Sequence, residues 1–215
     1  MKTTLFTASL VMSCLMLPFL GEAEATTDFS ATFNLSARYK DVTCESHLKA
    51  SGDGVSGGEI DFGAFSSSSG ATGLTKLVTL TLDCSNGTGQ PETVKVGFSV
   101  TSPATVDPDN KNRLYPSADN NAQPQTNLYY DWVWGDKITD TVKKNPASAS
   151  HKGLNAKDTV DLSGTLPADV YEVSTKSTTG NLLNFPLEIT RGVKSVDELE
   201  PGGYSAAVTV KVSYE

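Results

Sequence analysis

The sequence predicts an all-β protein, an antiparallel β-sandwich, on three observations. Apolar and polar residues alternate with a period of two in several segments, whereas helical periodicity is almost absent. The 18 glycines and 10 prolines, together with Ser, Thr and Asn clusters, indicate frequent turns between those segments. The length of 215 residues fits one β-rich domain. Half-buried strands joined by polar turns are typical of antiparallel sheets that pack face to face.

The N-terminal segment is predicted to be a secretory signal peptide. A basic start precedes the apolar run 5–20, and the small residues Ala23 and Ala25 provide a cleavage site. The alternatives are a membrane anchor and a lipoprotein modified at Cys14. The apolar run is short for a membrane span and continues past Cys14, which disfavours both alternatives. We therefore expect residues 1–25 to be removed and the mature protein to be exported.

Six segments of the mature chain are predicted to be strands, because each has one apolar face. The first alternates over more residues than one strand usually needs, and the last has the most regular alternation. In chain order the apolar faces are Phe29-Ala31-Phe33-Leu35-Ala37-Tyr39, Ile60-Phe62, Val78-Leu80-Leu82-Cys84, Val94-Val96-Phe98-Val100, Leu183-Phe185-Leu187-Ile189 and Tyr204-Ala206-Val208-Val210-Val212-Tyr214.

The alternation of apolar and polar residues is interrupted by a proline in one predicted strand and weakens in the middle of the chain. Pro186 cannot donate a backbone hydrogen bond, so its strand is predicted to lie at a sheet edge or to face away from a partner at that position. Between Pro103 and Leu182 the alternation weakens. Two polar stretches in this part, Asp107–Thr126 and Lys143–Lys157, predict long loops.

Two cysteines, Cys44 and Cys84, remain after removal of the signal peptide. In an oxidising compartment such a pair predicts one structural disulfide, which stabilises by about 4 kcal/mol on the chain-entropy model. The alternative is a reactive thiol or a metal-binding pair. Neither cysteine has a neighbouring Cys or His at ligand spacing, which favours the disulfide.

Composition argues against several function classes. A formal net charge of −8 does not suit a nucleic-acid binder, and two histidines leave little material for a zinc site. Ser56 lies in Gly54–Gly58, which matches the G-x-S-x-G pattern of hydrolases, but that motif needs a strand-to-helix turn that this β-rich pattern lacks. A secreted hydrolase with Ser56 as nucleophile is therefore the least favoured alternative. We expect no catalytic residue, no metal and no cofactor.

The segment Tyr129–Trp134 contains both tryptophans and allows two interpretations. Aromatic side chains can stack on sugars or anchor a protein partner, which would make Tyr130, Trp132 and Trp134 a receptor patch. The same three residues alternate as the core residues of a strand do. The alternation favours the core interpretation.

Motifs at both ends of the mature chain occur in a specific order. They are Phe33–Tyr39 shortly before the first mature cysteine, Ile60–Gly63, Leu80–Cys84 with the second cysteine, and Gly203–Glu215 with the penultimate Tyr214. In this order they resemble the pilin subunits of bacterial chaperone–usher fimbriae, the group that includes type 1 and P pilus subunits. Ala37 stands where many members have Gly, and Pro103–Ser174 has no counterpart.

The resemblance implies an incomplete immunoglobulin-like antiparallel sandwich that is completed by a donated strand. Residues 26–39 would be the N-terminal donor extension, and residues 40–215 would form the pilin domain. The donor face implied by the resemblance is Phe29, Ala31, Phe33, Leu35 and Ala37. The groove strand that meets the chaperone would present Val208, Val210, Val212 and Tyr214.

The resemblance also implies partners and a location. A periplasmic fimbrial chaperone, the outer-membrane usher and neighbouring pilin subunits would be the partners, and the product would be a fimbria on the bacterial surface. The long middle segment would suit a minor structural subunit of this adhesive fibre. The alternative is a single-domain fimbrial adhesin that binds a host receptor or glycan through Tyr129–Trp134.

Overall fold

The computed structural model shows that the chain folds entirely as β-strands and turns in the part that it describes. No helix occurs there, so none of these segments is a helix able to cross a membrane. The all-β prediction is confirmed. The described residues are 29–39, 49–52, 54–56, 58–65, 73–83, 93–136, 138, 142–145, 152–164, 170–174 and 182–214.

The described residues form fifteen strands, which vary in length from two residues to thirteen. In chain order they are β1 (Phe29–Tyr39), β2 (Lys49–Gly52), β3 (Val55–Ser56), β4 (Glu59–Asp61), β5 (Thr75–Asp83), β6 (Thr93–Thr101), β7 (Thr105–Val106), β8 (Arg113–Tyr115), β9 (Ser117–Ala118), β10 (Leu128–Trp134), β11 (Val142–Asn145), β12 (Lys152–Gly153), β13 (Val170–Ser174), β14 (Leu182–Val193) and β15 (Gly202–Tyr214).

The strands form two sheets. The first has nine strands in the order β12-β11-β13-β6-β15-β1-β4-β3, with β9 pairing with the start of β15. The second has six strands in the order β2-β5-β14-β10-β8-β7. Among the described strands every pairing is antiparallel except one, because β1 runs parallel to β15.

One hydrophobic core lies between the two sheets. The ring of Phe98 on β6, in the first sheet, lies 6.4 Å from Trp132 and 6.1 Å from Trp134 on β10, in the second. The alternation predicted for β5, β6, β14 and β15 is confirmed at all positions whose burial is described except Val100, which is half-buried and packs against the core. The confirmed positions are Val78, Leu80, Leu82, Val94, Val96, Phe98, Leu183, Phe185, Leu187, Ile189, Tyr204, Ala206, Val208, Val210 and Val212, all of which are buried.

The loops expected in the middle of the chain are wrong in part. Of the two alternatives for Pro186 the sheet edge is wrong, whereas the position without a partner strand agrees with the end of β10 at Trp134. The stretches expected to be long loops contain β8, β9, β11 and β12, which are too short to show an alternating pattern. The strand containing Pro186 is not at an edge, since β14 pairs with β5 on one side and β10 on the other. Pro186 is tolerated because it faces Gly135, one residue past the end of β10, where its carbonyl accepts the Gly135 N–H at 3.0 Å.

Candidate strand-exchange site

The first strand of the described chain is held mainly by the last. β1 pairs with β15 at eleven positions, from Phe29 opposite Gly202 to Tyr39 opposite Val212. On its other side β1 pairs with β4 at three positions only, centred on Phe33 opposite Ile60. The position beside β15 that the resemblance expects to be open is therefore filled, in this structure, by the chain's own β1.

Phe33 anchors β1 in the core, and its side chain is fully buried. Its ring packs edge-on against Tyr130 of the second sheet, with 4.3 Å between ring centroids and an angle of 82° between the planes. A second edge contact, at 5.4 Å and 76°, joins it to Phe62, which itself lies 4.8 Å from Tyr130. Edge-to-face pairs of this kind each contribute about 0.5–1.5 kcal/mol beyond the buried area.

The residue opposite Phe33 on β15 is Ala206, and it is also buried. A small side chain at this register position suits a bulky ring on the neighbouring strand. Sequence reasoning identified Phe33 as a donor residue but not Tyr130, Phe62 and Ala206 as its surroundings. Ile60-Phe62 alternates with an apolar face, so Phe62 was recognisable as an inward residue, whereas its contact with Phe33 was not.

The predicted groove residues of β15 lie in the core. Val208, Val210 and Val212 are buried, with β1 on one side of their strand and β6 on the other. Val210 pairs with Ala37 of β1 and with Phe98 of β6. For five other predicted residues the structure describes the backbone, in β1 or β15, but not the side chain. They are Phe29, Ala31, Leu35, Ala37 and Tyr214.

Other predicted features lie outside the described residues altogether. These are the signal segment 1–25 and the predicted disulfide partners Cys44 and Cys84. Ser56 is described and exposed, in a strand that forms a hairpin with β4. That hairpin is not the strand-to-helix turn that a nucleophile elbow requires. Within the described residues, no group of three or more His, Cys, Asp or Glu side chains could hold a metal ion.

The aromatic residues of β10 belong to the core. Tyr130, Trp132 and Trp134 all have 0% exposure, so the core interpretation is confirmed and the receptor patch on these three side chains is corrected. The physical reason is the alternation of β10, which turns all three inward against rings of the first sheet. The Tyr130 hydroxyl and the two indole N–H groups have no hydrogen-bond partner among the described residues. Burial raises the pKa of Tyr130 above its ordinary value.

The outward side of β10 is covered by an ion pair. The Arg113 guanidinium donates to both carboxylate oxygens of Asp131, at 2.8 and 2.9 Å, and lies 3.9 Å above the centre of the Tyr129 ring. The hydrogen bond to Asp131 raises the pKa of Arg113, which therefore stays charged. These groups therefore satisfy one another within the chain.

A buried cation next to the Phe33 cluster was not anticipated from the sequence. Arg191 of β14 is only 3% exposed, and it donates to the carbonyl of Phe62 at 3.1 Å while its guanidinium lies 4.1 Å above the Phe65 ring. Burial lowers the pKa of Arg191. Continuing the alternation Leu183-Phe185-Leu187-Ile189 by two residues places Arg191 on the same inward face, so the pattern indicated its side of the strand but not its contacts with Phe62 and Phe65.

Burial of the β10 core residues has a direct spectroscopic consequence. The chain has two tryptophans, and both are fully buried, so native fluorescence should be blue-shifted and almost unaffected by iodide. Leu77→Trp, at a position that is 62% exposed on β5, provides a quenchable control. Strong quenching of the native wild-type protein would place Trp132 or Trp134 at the surface and contradict this core.

The comparisons with known proteins add no family. No protein-family model matches the chain, and no curated protein matches it either. Function must therefore be argued from the motifs and from the geometry of β1, β15 and the core between them.

Proposed function

We propose that this protein is a minor structural subunit of an adhesive surface fibre whose copies join by exchanging β1. The observation that supports this most directly is the position of β1. It occupies a full strand position beside β15, inserts Phe33 into the core, and has little pairing elsewhere. A strand held in this way can be supplied by the same chain or by another copy.

The physical basis of the exchange is the identity of the contacts. Withdrawing β1 breaks its pairings with β15 and β4 only, because no other described strand pairs with it. The β1 of a second copy could restore the same register and the same contacts of Phe33 with Phe62 and Tyr130. The equilibrium between monomers that keep their own β1 and copies that have exchanged β1 then depends on the protein concentration and on the segment that follows β1.

An accessory protein fits this scheme because the vacated position is costly. Without β1, Phe62, Tyr130 and Val208 would lose their cover, and β15 would expose a row of unpaired backbone groups. A partner that adds a strand there supplies both hydrogen bonds and apolar cover. By the resemblance, a periplasmic chaperone would hold the subunit in this state until the usher and a neighbouring subunit complete an immunoglobulin-like sandwich at the bacterial surface.

The proposal is tested by separating donation from acceptance. We expect wild-type protein released from a co-expressed fimbrial chaperone to form a ladder of multimers on native electrophoresis. Phe33→Asp should stop as the chaperone complex or as the cap of a fibre, because a carboxylate cannot enter the Phe62–Tyr130 pocket. A peptide of residues 27–39 should still bind the chaperone-freed Phe33→Asp protein.

The controls distinguish the loss of the buried Phe33 side chain from the effect of any added charge on β1. Asn34→Asp adds the same carboxylate at the neighbouring position, outside the apolar sequence face, and should still give multimers. A peptide carrying Phe33→Asp should not bind. The proposal fails if the wild-type protein is a heat-stable monomer that takes up no peptide and forms no multimer, or if Phe33→Asp assembles normally.

A further inference from the structure

A polar cleft lies where the chain passes from the first sheet to the second. Its walls come from the end of β6, the turn that follows, β7, the loop after β7 and the stretch 162–163. Its volume is about 410 Å³. Small-molecule sites span about 300–1,000 Å³, so the cleft has room for a ligand of one or two rings.

The lining combines an apolar surface with hydroxyl groups. Val100 and Val106 are half-buried and Pro108 is exposed, so they provide the apolar surface, and the buried Ala104 and Leu162 lie in the floor beneath them. Ser102 and Thr105 are exposed on the walls and carry hydroxyls that can both donate and accept. A ligand that matches this lining needs an apolar face and several hydrogen-bonding groups in the same small molecule.

The two charged residues of the lining already have partners within the chain. The ammonium of Lys111 lies 3.9 Å from a carboxylate oxygen of Asp161, which is 5% exposed. Asp107 accepts a hydrogen bond from the Tyr115 hydroxyl at 2.5 Å and from the Asp109 N–H at 3.0 Å. The Tyr115 hydroxyl in turn accepts one from Lys194 at 2.9 Å.

This compensation disfavours an ionic ligand. A charged ligand would have to compete with an internal partner for Lys111 or Asp107, and exchanging one ion pair for another yields little. A neutral ligand can add hydrogen bonds to both groups without breaking those contacts. Two hydrogen bonds hold the Asp107 carboxylate in place, so it is a preorganised acceptor for ligand hydroxyls.

We propose that the cleft binds a neutral carbohydrate of one or two rings. The C–H face of a sugar ring would rest on Val106 and Pro108, and its hydroxyls would bond to Asp107 and to the wall hydroxyls. The inference goes beyond the proposed fibre role and does not rest on it, because every residue of the lining belongs to one chain and none belongs to β1.

The test is saturation-transfer NMR, which observes the ligand and works for a monomer, a chaperone complex or a fibre. The probes are neutral methyl glycosides of mannose, galactose and glucose, N-acetylglucosamine and lactose at millimolar concentration, with sialic acid as the charged comparison. We expect transfer to at least one neutral sugar. Thr105→Trp should abolish it by filling the cleft, and Asp107→Asn should weaken binding about tenfold.

Matched controls place the same substitutions elsewhere on the surface. Asp197→Asn and Thr126→Trp change exposed residues away from the cleft and should leave binding unchanged. Circular dichroism verifies that each variant is folded, and Asp107→Asn remains informative if Thr105→Trp is not. No transfer to any neutral sugar, transfer that survives Thr105→Trp, or binding of sialic acid alone would each overturn the proposal. Thr105→Trp should still form multimers, so that its loss of sugar binding is distinguishable from a loss of fibre assembly.

Discussion

Replacing Phe33 with alanine should lower the free energy of unfolding by about 3–5 kcal/mol, the usual cost of truncating a fully buried Phe. The ring is buried and contacts Phe62 and Tyr130, so the variant loses the transfer energy of the ring, both edge contacts, and the packing of the space left behind. Domains of this size have a total stability of about 5–15 kcal/mol, which makes this a large fraction. Urea unfolding followed by tryptophan fluorescence measures it as a lower midpoint.

The conservative variant and the protein concentration make the result specific. Phe33→Leu keeps most of the volume but loses both edge-to-face contacts, each about 0.5–1.5 kcal/mol, so it should cost clearly less than Phe33→Ala without being neutral. If β1 stays in its own chain, the loss does not depend on protein concentration, whereas an exchanged β1 makes the midpoint rise with concentration. A loss below about 0.5 kcal/mol for Phe33→Ala at every concentration, the usual range for surface substitutions, would show that Phe33 is not a core residue in solution.

The strands that the sequence predicts well are those whose inward residues are all apolar. In β6, Val94, Val96 and Phe98 are buried while Lys95 and Ser99 between and beyond them are not. Such a pattern establishes which side chains share a face, but it contains no information about the direction or partner of the strand. The parallel pairing of β1 with β15, and its closure within one chain, therefore could not be derived from the alternation.

For the candidate site, the sequence likewise predicted which residues take part but not how they pack. Phe33, Val208 and Val210 were identified as residues of one apolar contact, and all three are buried. That Tyr130 completes this contact depends on packing between two sheets, which no local pattern records. The cleft was missed for a related reason, because its lining comes from separate segments that are brought together only by the fold.

Val210→Asp is expected to have the second large effect, loss of the folded subunit. Val210 has 0% exposure and lies between Ala37 of β1 and Phe98 of β6 in the register of the first sheet. A carboxylate there is either ionised without a partner or protonated at a cost, and each option is strongly unfavourable in an apolar core. On the proposed export route, signal cleavage would precede folding, so cleavage should be unchanged while the abundance of the mature protein falls.

Thr209→Asp is the matched control, because Thr209 is adjacent on β15 and half-exposed, so that water can solvate the added charge. Its abundance and its recovery with a co-expressed chaperone should stay close to wild type. The comparison also distinguishes a buried strand from a docking strand. If Val210→Asp is lost even as free protein, its side chain belongs to the subunit core. If it folds alone and fails only in chaperone recovery, β15 contacts the chaperone through Val210. Normal abundance together with normal chaperone recovery would contradict both roles of this strand.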